Sequence, residues 1–66
     1  MLNISPRERE IAQLLAKGLN VNQIAQQLRI SPHTVKAHKR RAFAKTGAVS
    51  SVDLAVKVAL DDRKRG

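Results

Sequence analysis

The chain has no cysteine, no tryptophan, no tyrosine and a single phenylalanine, Phe43. Without thiols it can form neither a disulfide nor a thiolate metal site, so packing alone must hold its 66 residues together. A chain of this size is one domain, expected to span 1–66, and it buries only roughly 60% of the surface its unfolded form exposes. No apolar run approaches the ~20 residues of a membrane-spanning helix, and the amino terminus does not read as a signal peptide. Aromatics are too few for a helix lying on a membrane surface, which needs bulky apolar residues opposite its charges. We expect a soluble, cytoplasmic chain with no membrane partner.

Acidic residues are also scarce. They are Glu8, Glu10, Asp53, Asp61 and Asp62, and none falls between Glu10 and Asp53. Glu8 reads as a helix-capping residue, while Asp61 and Asp62 sit where a helix should end. No histidine–nucleophile–acid set emerges, and so small a chain has little room for a pocket of about 300 Å³. We expect no enzyme, no catalytic residue and no cofactor. His33 and His38 point to different sides of one helix with no carboxylate or cysteine beside them, so no metal is expected either.

Positive charge is abundant. Thirteen Lys and Arg against five acids leave a formal net charge of +8. The acid-free interval holds Lys17, Arg29, Lys36, Lys39, Arg40, Arg41 and Lys45. A solvated surface normally interleaves the two signs, so this segregation points to a polyanionic partner.

Helix signals divide the chain into four. Ser5 with Glu8 makes a capping box, Pro6 suits the first helical position, and Ile11, Leu14 and Leu15 form an apolar stripe. Gly18 is a natural stop, so the first helix should cover about 6–17. Asn20 and Gln23 form a second capping box, and Ile24, Ala25 and Leu28 line a short helix over 21–28. Only Arg29 and Ile30 separate it from the Ser31 cap of a third helix over 32–46, which ends at Gly47. So short a connection forces the two helices to cross steeply, which is helix-turn-helix geometry. Ala25 is small enough for the third helix to approach closely, although Arg29 stands in a turn that often holds glycine. Ser50 caps a fourth helix over about 51–62, leaving Arg63-Lys-Arg-Gly66 as a frayed, solvated tail. The fold class is therefore all-α.

At about 100° per residue, Lys36, Ala37 and Arg40 share one side of the third helix with His33. Val35 and Ala42 lie on the other side. Such a helix docks through Val35 and Ala42 and offers Lys36 and Arg40 to an acidic groove, as a recognition helix does in DNA. Arginine can fork onto guanine, and lysine can make a similar contact with less geometric demand. Ala37 could touch a thymine methyl or simply let the helix in. His38, on the inner flank, reads as a hydrogen-bonded structural histidine. On the fourth helix, Leu54, Ala55 and Val58 form a core stripe. Val52, Val56 and Ala59 form a second stripe nearly opposite, left for a partner.

Four segments carry a family resemblance: Ser5-Pro-Arg-Glu-Arg-Glu10, Leu14-Leu-Ala-Lys-Gly18, Ile24-Ala25 and Ser31-Pro-His-Thr-Val-Lys-Ala-His38. In order and spacing they resemble the LuxR-type (GerE-type) DNA-binding domain of bacterial transcription regulators, from about Ile4 to Leu60. The resemblance implies a four-helix helix-turn-helix unit, usually carboxy-terminal to a receiver or ligand-binding domain, that binds double-stranded DNA as a dimer. It implies base-edge contacts at Lys36, Ala37 and Arg40. It implies phosphate contacts at Asn22, Gln23, His33, Thr34, Lys39, Arg41 and Lys45, and a homodimer built on the fourth helix at Val52, Val56 and Ala59. The family usually has bulky aliphatics where this chain has Ala42 and Thr46, and Phe43 is placed to recover that volume from the flank.

Two other readings compete. Region four of bacterial sigma factors also pairs a leucine-rich helix with a helix-turn-helix, and Arg40-Arg-Ala-Phe-Ala-Lys45 looks like it. His38 and a capped fourth helix after Gly47 go against it. A small helical adaptor would use the spare stripe to bind protein, and RNA polymerase is another possible partner for that stripe.

Overall fold

Each helix begins where its first turn is capped. In a computed structural model, which describes residues 3–65, Ser5 Oγ accepts from the Glu8 N–H at 3.1 Å and the Ser5 N–H donates to Glu8 Oε1 at 3.0 Å. That capping box opens α1 (Pro6–Ala16). The helix ends one residue earlier than expected: Lys17 is its C-cap, and Gly18 takes the left-handed region at φ 92°. Asn20 and Gln23 exchange two 2.8 Å bonds to open α2 (Val21–Leu28).

The turn after α2 is made by a residue that is not glycine. Arg29 sits at φ 58° and ψ 44°, and the Ile30 N–H closes the turn on the Ala25 carbonyl at 3.0 Å. This reversal lets Ile30 pack on the core before Ser31 caps α3 (Pro32–Thr46). Gly47 ends α3 at φ 71°. Ser50 Oγ accepts from the Asp53 N–H at 3.0 Å to start α4 (Ser51–Arg65). No strand occurs among the described residues, and the fold is all-α.

α1 lies between two apolar clusters. Ile11 and Leu14 pack with Ile24, Ala25 and Val35, joining α1 to the helix-turn-helix pair. Ala12 packs with Ala42, Leu54 and Val58, joining α1 to the far half of α3 and to α4. Small residues at Ala12 and Ala42 allow the three helices to come close there, and Phe43 packs against this cluster from the side. Thr46 fits because its hydroxyl donates to the Ala42 carbonyl at 2.8 Å and accepts from the Ala48 N–H at 3.2 Å.

α4 runs past its expected end. Arg63, Lys64 and Arg65 continue the helix instead of fraying, while Gly66 lies outside the described residues. Long-range bonds reach the two residues just before this extension. Arg9 Nη2 donates to Asp61 Oδ2 at 2.7 Å, Arg9 Nη1 donates to Asp62, and Gln13 Nε2 donates to Asp62 Oδ2 at 3.0 Å. These bonds tie the last turns of α4 to α1.

Candidate nucleic-acid interface

α3 has one sealed side and one charged side. Val35 and Ala42 are fully buried, whereas His33, Lys36, Arg40 and Arg41 are exposed. Lys36 and Arg40 stand one turn apart, with Ala37 beside them and partly covered. Among the described residues, ion pairs join Arg7 to Glu10, Arg9 to Asp61 and Asp62, Lys45 to Glu8, and Lys57 to Asp53. Within the acid-free interval, then, Lys17, Arg29, Lys36, Lys39, Arg40 and Arg41 lack an acidic partner among the described residues. That leaves a field of uncompensated positive charge.

The starts of α2 and α3 flank this field. A recess of about 410 Å³ opens between them, lined by Asn20, Asn22, Gln23, Gln26, Ile30 and Pro32. Asn22, which lines the recess, and His33, on the first turn of α3, are both exposed. Gln23 Oε1 is committed to the Asn20 N–H, and the Thr34 hydroxyl lies 2.9 Å from Ser31 Oγ. Lys39 leans to the flank, with its ammonium 5.9 Å from the centre of the Phe43 ring.

The surroundings of two residues were not expressed in the sequence. Lys45 is engaged within the protein, donating to Glu8 Oε1 at 3.0 Å and Oε2 at 3.3 Å. The His38 ring, expected to be hydrogen-bonded, has its Nδ1 buried without a hydrogen-bond partner among the described residues. Glu8 lies near it and is only 2% exposed. Burial alone would raise the Glu8 carboxyl. The Ser5 N–H, the Lys45 ammonium and the nearby His38 outweigh that and hold it below its ordinary value.

The second stripe of α4 faces outward. Val52 is 75% exposed and Val56 50%, with Ala59 open beside them. Leu60, 51% exposed, extends this ridge; its spacing of four from Val56 was the signal for it. A cleft of about 180 Å³ between Leu15, Ala16, Ser51, Val52, Ala55 and Val56 borders the ridge. Among the described residues, no cluster of His, Asp and Glu could hold a metal ion, and no helix is long and apolar enough to cross a membrane.

The profile of the bacterial regulatory proteins of the luxR family matches residues 2–58. The transcriptional regulatory protein UhpA of Escherichia coli is 40% identical over 52 residues, which are 79% of this chain and 26% of UhpA. The response regulator UvrY of Escherichia coli is 38% identical over 52 residues, 79% of this chain and 24% of UvrY. Mb0914c of Mycobacterium bovis, named among HTH-type transcriptional regulators, is 38% identical over the same length, but only 6% of it is covered. The matched part of this chain therefore spans between 6% and 26% of the length of these relatives. No solved structure matches it.

Proposed function

Because the chain belongs to the luxR family of bacterial regulatory proteins, we propose that it binds double-stranded DNA sequence-specifically, with α3 in the major groove, as part of a transcription regulator. The observation that carries this reading is the field of uncompensated cations on and around α3, displayed opposite the buried Val35 and Ala42. Lys36 and Arg40 read base edges, and Ala37 admits the helix or meets a thymine methyl. Asn22, Gln23, His33, Thr34, Lys39 and Arg41 hold phosphates, using the exposed N–H groups at the starts of α2 and α3 as well as side chains. The family consists of regulators and is not an enzyme class.

One domain covers one half-site, so a two-fold operator takes two copies about one helical turn apart. The Val52, Val56 and Ala59 stripe, with Leu60, is the surface on which those copies pair. Its area is small against the roughly 1,200 Å² or more that stable interfaces bury, so pairing occurs on DNA and not in dilute solution. RNA polymerase is the other candidate for this stripe, and the bound protein resides on the nucleoid in the cytoplasm.

A salt titration tests the reading. With roughly four phosphates neutralised, log K should fall against log salt with a slope of about −3 to −4. A slope near zero on any duplex overturns it, and an adaptor would give no shift with random DNA at low salt. A sigma-like domain would instead bind the polymerase flap region.

A further inference from the structure

Lys45 is the one cation of the acid-free interval that the fold, among the described residues, has already paired. Its ammonium touches both oxygens of the Glu8 carboxylate. Glu8 is 2% exposed, and its Oε1 also accepts from the Ser5 N–H. The Lys45 side chain is 41% exposed, so it could swing towards solvent if nothing held it.

We propose that Glu8 is a positioning residue that keeps Lys45 on the protein when DNA binds, so that Lys45 makes no phosphate contact. This rests on the DNA-binding reading and removes one residue from the phosphate set that the family resemblance implies. The physical ground is a competition between two anions for one ammonium. Departure of Lys45 would strand a nearly buried carboxylate with no cation in contact, and breaking a buried pair from one side is strongly unfavourable. The phosphate on offer is wet, screened by salt and already surrounded by counterions, so it gives the ammonium much less. Lys45 therefore stays, and the last turn of α3 remains fastened to the first turn of α1. The phosphate-facing cations are then those of the earlier α3 turns, Lys36, Lys39, Arg40 and Arg41.

Removing the charge of Glu8 should release the lysine. Glutamine can still accept from the Ser5 N–H, as it does in capping boxes generally, so Glu8→Gln keeps the cap and removes the charge that holds Lys45. The 66-residue chain and its Glu8→Gln, Lys45→Gln and doubly substituted variants are titrated with a random-sequence duplex over a range of salt, with folding checked by circular dichroism. The expected result is an unchanged slope for Lys45→Gln and a slope steeper by about 0.9 for Glu8→Gln, which is one more phosphate neutralised. Between about 50 and 200 mM salt that is about a 3-fold larger loss of affinity. The double variant should return to the wild-type slope.

A slope shallower by about 0.9 in Lys45→Gln overturns the proposal, because Lys45 would then be a phosphate contact. So does an unchanged slope in a folded Glu8→Gln variant. The unsubstituted chain supplies a second measurement: the Glu8 side-chain carboxyl carbon resonance should hold its position as duplex is added, and a shift towards an unpaired carboxylate overturns the proposal. A wild-type slope near zero would instead overturn the DNA-binding reading itself, and this inference with it.

Discussion

Arg9 and Asp61 lie 52 residues apart in sequence and 2.7 Å apart in space, and both are largely removed from solvent, with side chains 13% and 4% exposed. Asp62 takes the other arm of the same guanidinium. The two carboxylates keep Arg9 firmly charged, Asp61 chiefly through its hydrogen bond. One side chain of α1 thus fastens the carboxy-terminal part of α4 to α1.

Removing that side chain should be costly. Arg9→Met takes the guanidinium from the buried Asp61, and breaking a buried pair in this way costs up to about 3–5 kcal/mol. A domain of this size has only roughly 3–10 kcal/mol to lose. Urea denaturation should show a large fall in midpoint, with weaker helix signal from the end of α4. Asp62→Asn should cost about 1 kcal/mol or less, because Asp62 is 34% exposed.

Arg29 occupies a backbone region that favours glycine. Holding a side chain there costs about 1–2 kcal/mol, part of which a glycine returns through greater freedom of the unfolded chain. Arg29→Gly should therefore stabilise the domain by up to about 1 kcal/mol in chemical denaturation. A loss of stability would mean that the Arg29 side chain supports the turn in some other way.

Reading and holding should separate in binding assays. Arg40→Ala is expected to cost about 1–3 kcal/mol on the selected operator and much less on random duplex, relaxing preference at one base pair. Arg41→Ala should weaken both by similar factors. Similar behaviour of the two variants across sequences would show that the reading face of α3 lies elsewhere.

Acid should destabilise the fold in a defined direction. Glu8 sits below its ordinary value because the Ser5 N–H, Lys45 and His38 overcome the effect of burial, and Asp53 is lowered by Lys57 and by the Val49 N–H. For carboxylates lowered on folding, the stabilisation is complete above the unfolded values near about 4 and is lost as pH falls through the folded values. Melting temperature should drop steadily below about pH 4, and Glu8→Gln should flatten part of that drop. An identical acid profile in the variant would show that the Glu8 pair does not contribute.

Pairing through α4 is tested by charge. If two copies pair there, Val56→Glu places like charges across the proposed two-fold axis and should abolish cooperative filling of a full site, with half-site affinity and folding nearly unchanged. Retained cooperativity in a folded variant would assign the stripe to another partner, such as polymerase.

The helix starts were legible in the sequence because caps are local. Ser5 with Glu8, Asn20 with Gln23, and Ser31 with Thr34 each bond across three residues, so spacing alone predicts them. The outward side of α3 was legible for the same reason: once Val35 and Ala42 are recognised as the inner side, helical geometry places Lys36 and Arg40 outside. The far end of α4, the Lys45–Glu8 pair across 37 residues and the unpartnered Nδ1 of His38 were not legible. They depend on how closely α1, α3 and α4 approach, which the joint packing of Ala12, Ala42, Leu54 and Val58 decides. Residue type and spacing determined which side chains could carry charge to a partner. Only the crossing of the helices decided which of those charges the protein neutralises itself, because an ion pair needs two groups within a few ångströms, and distance along the chain says nothing of that.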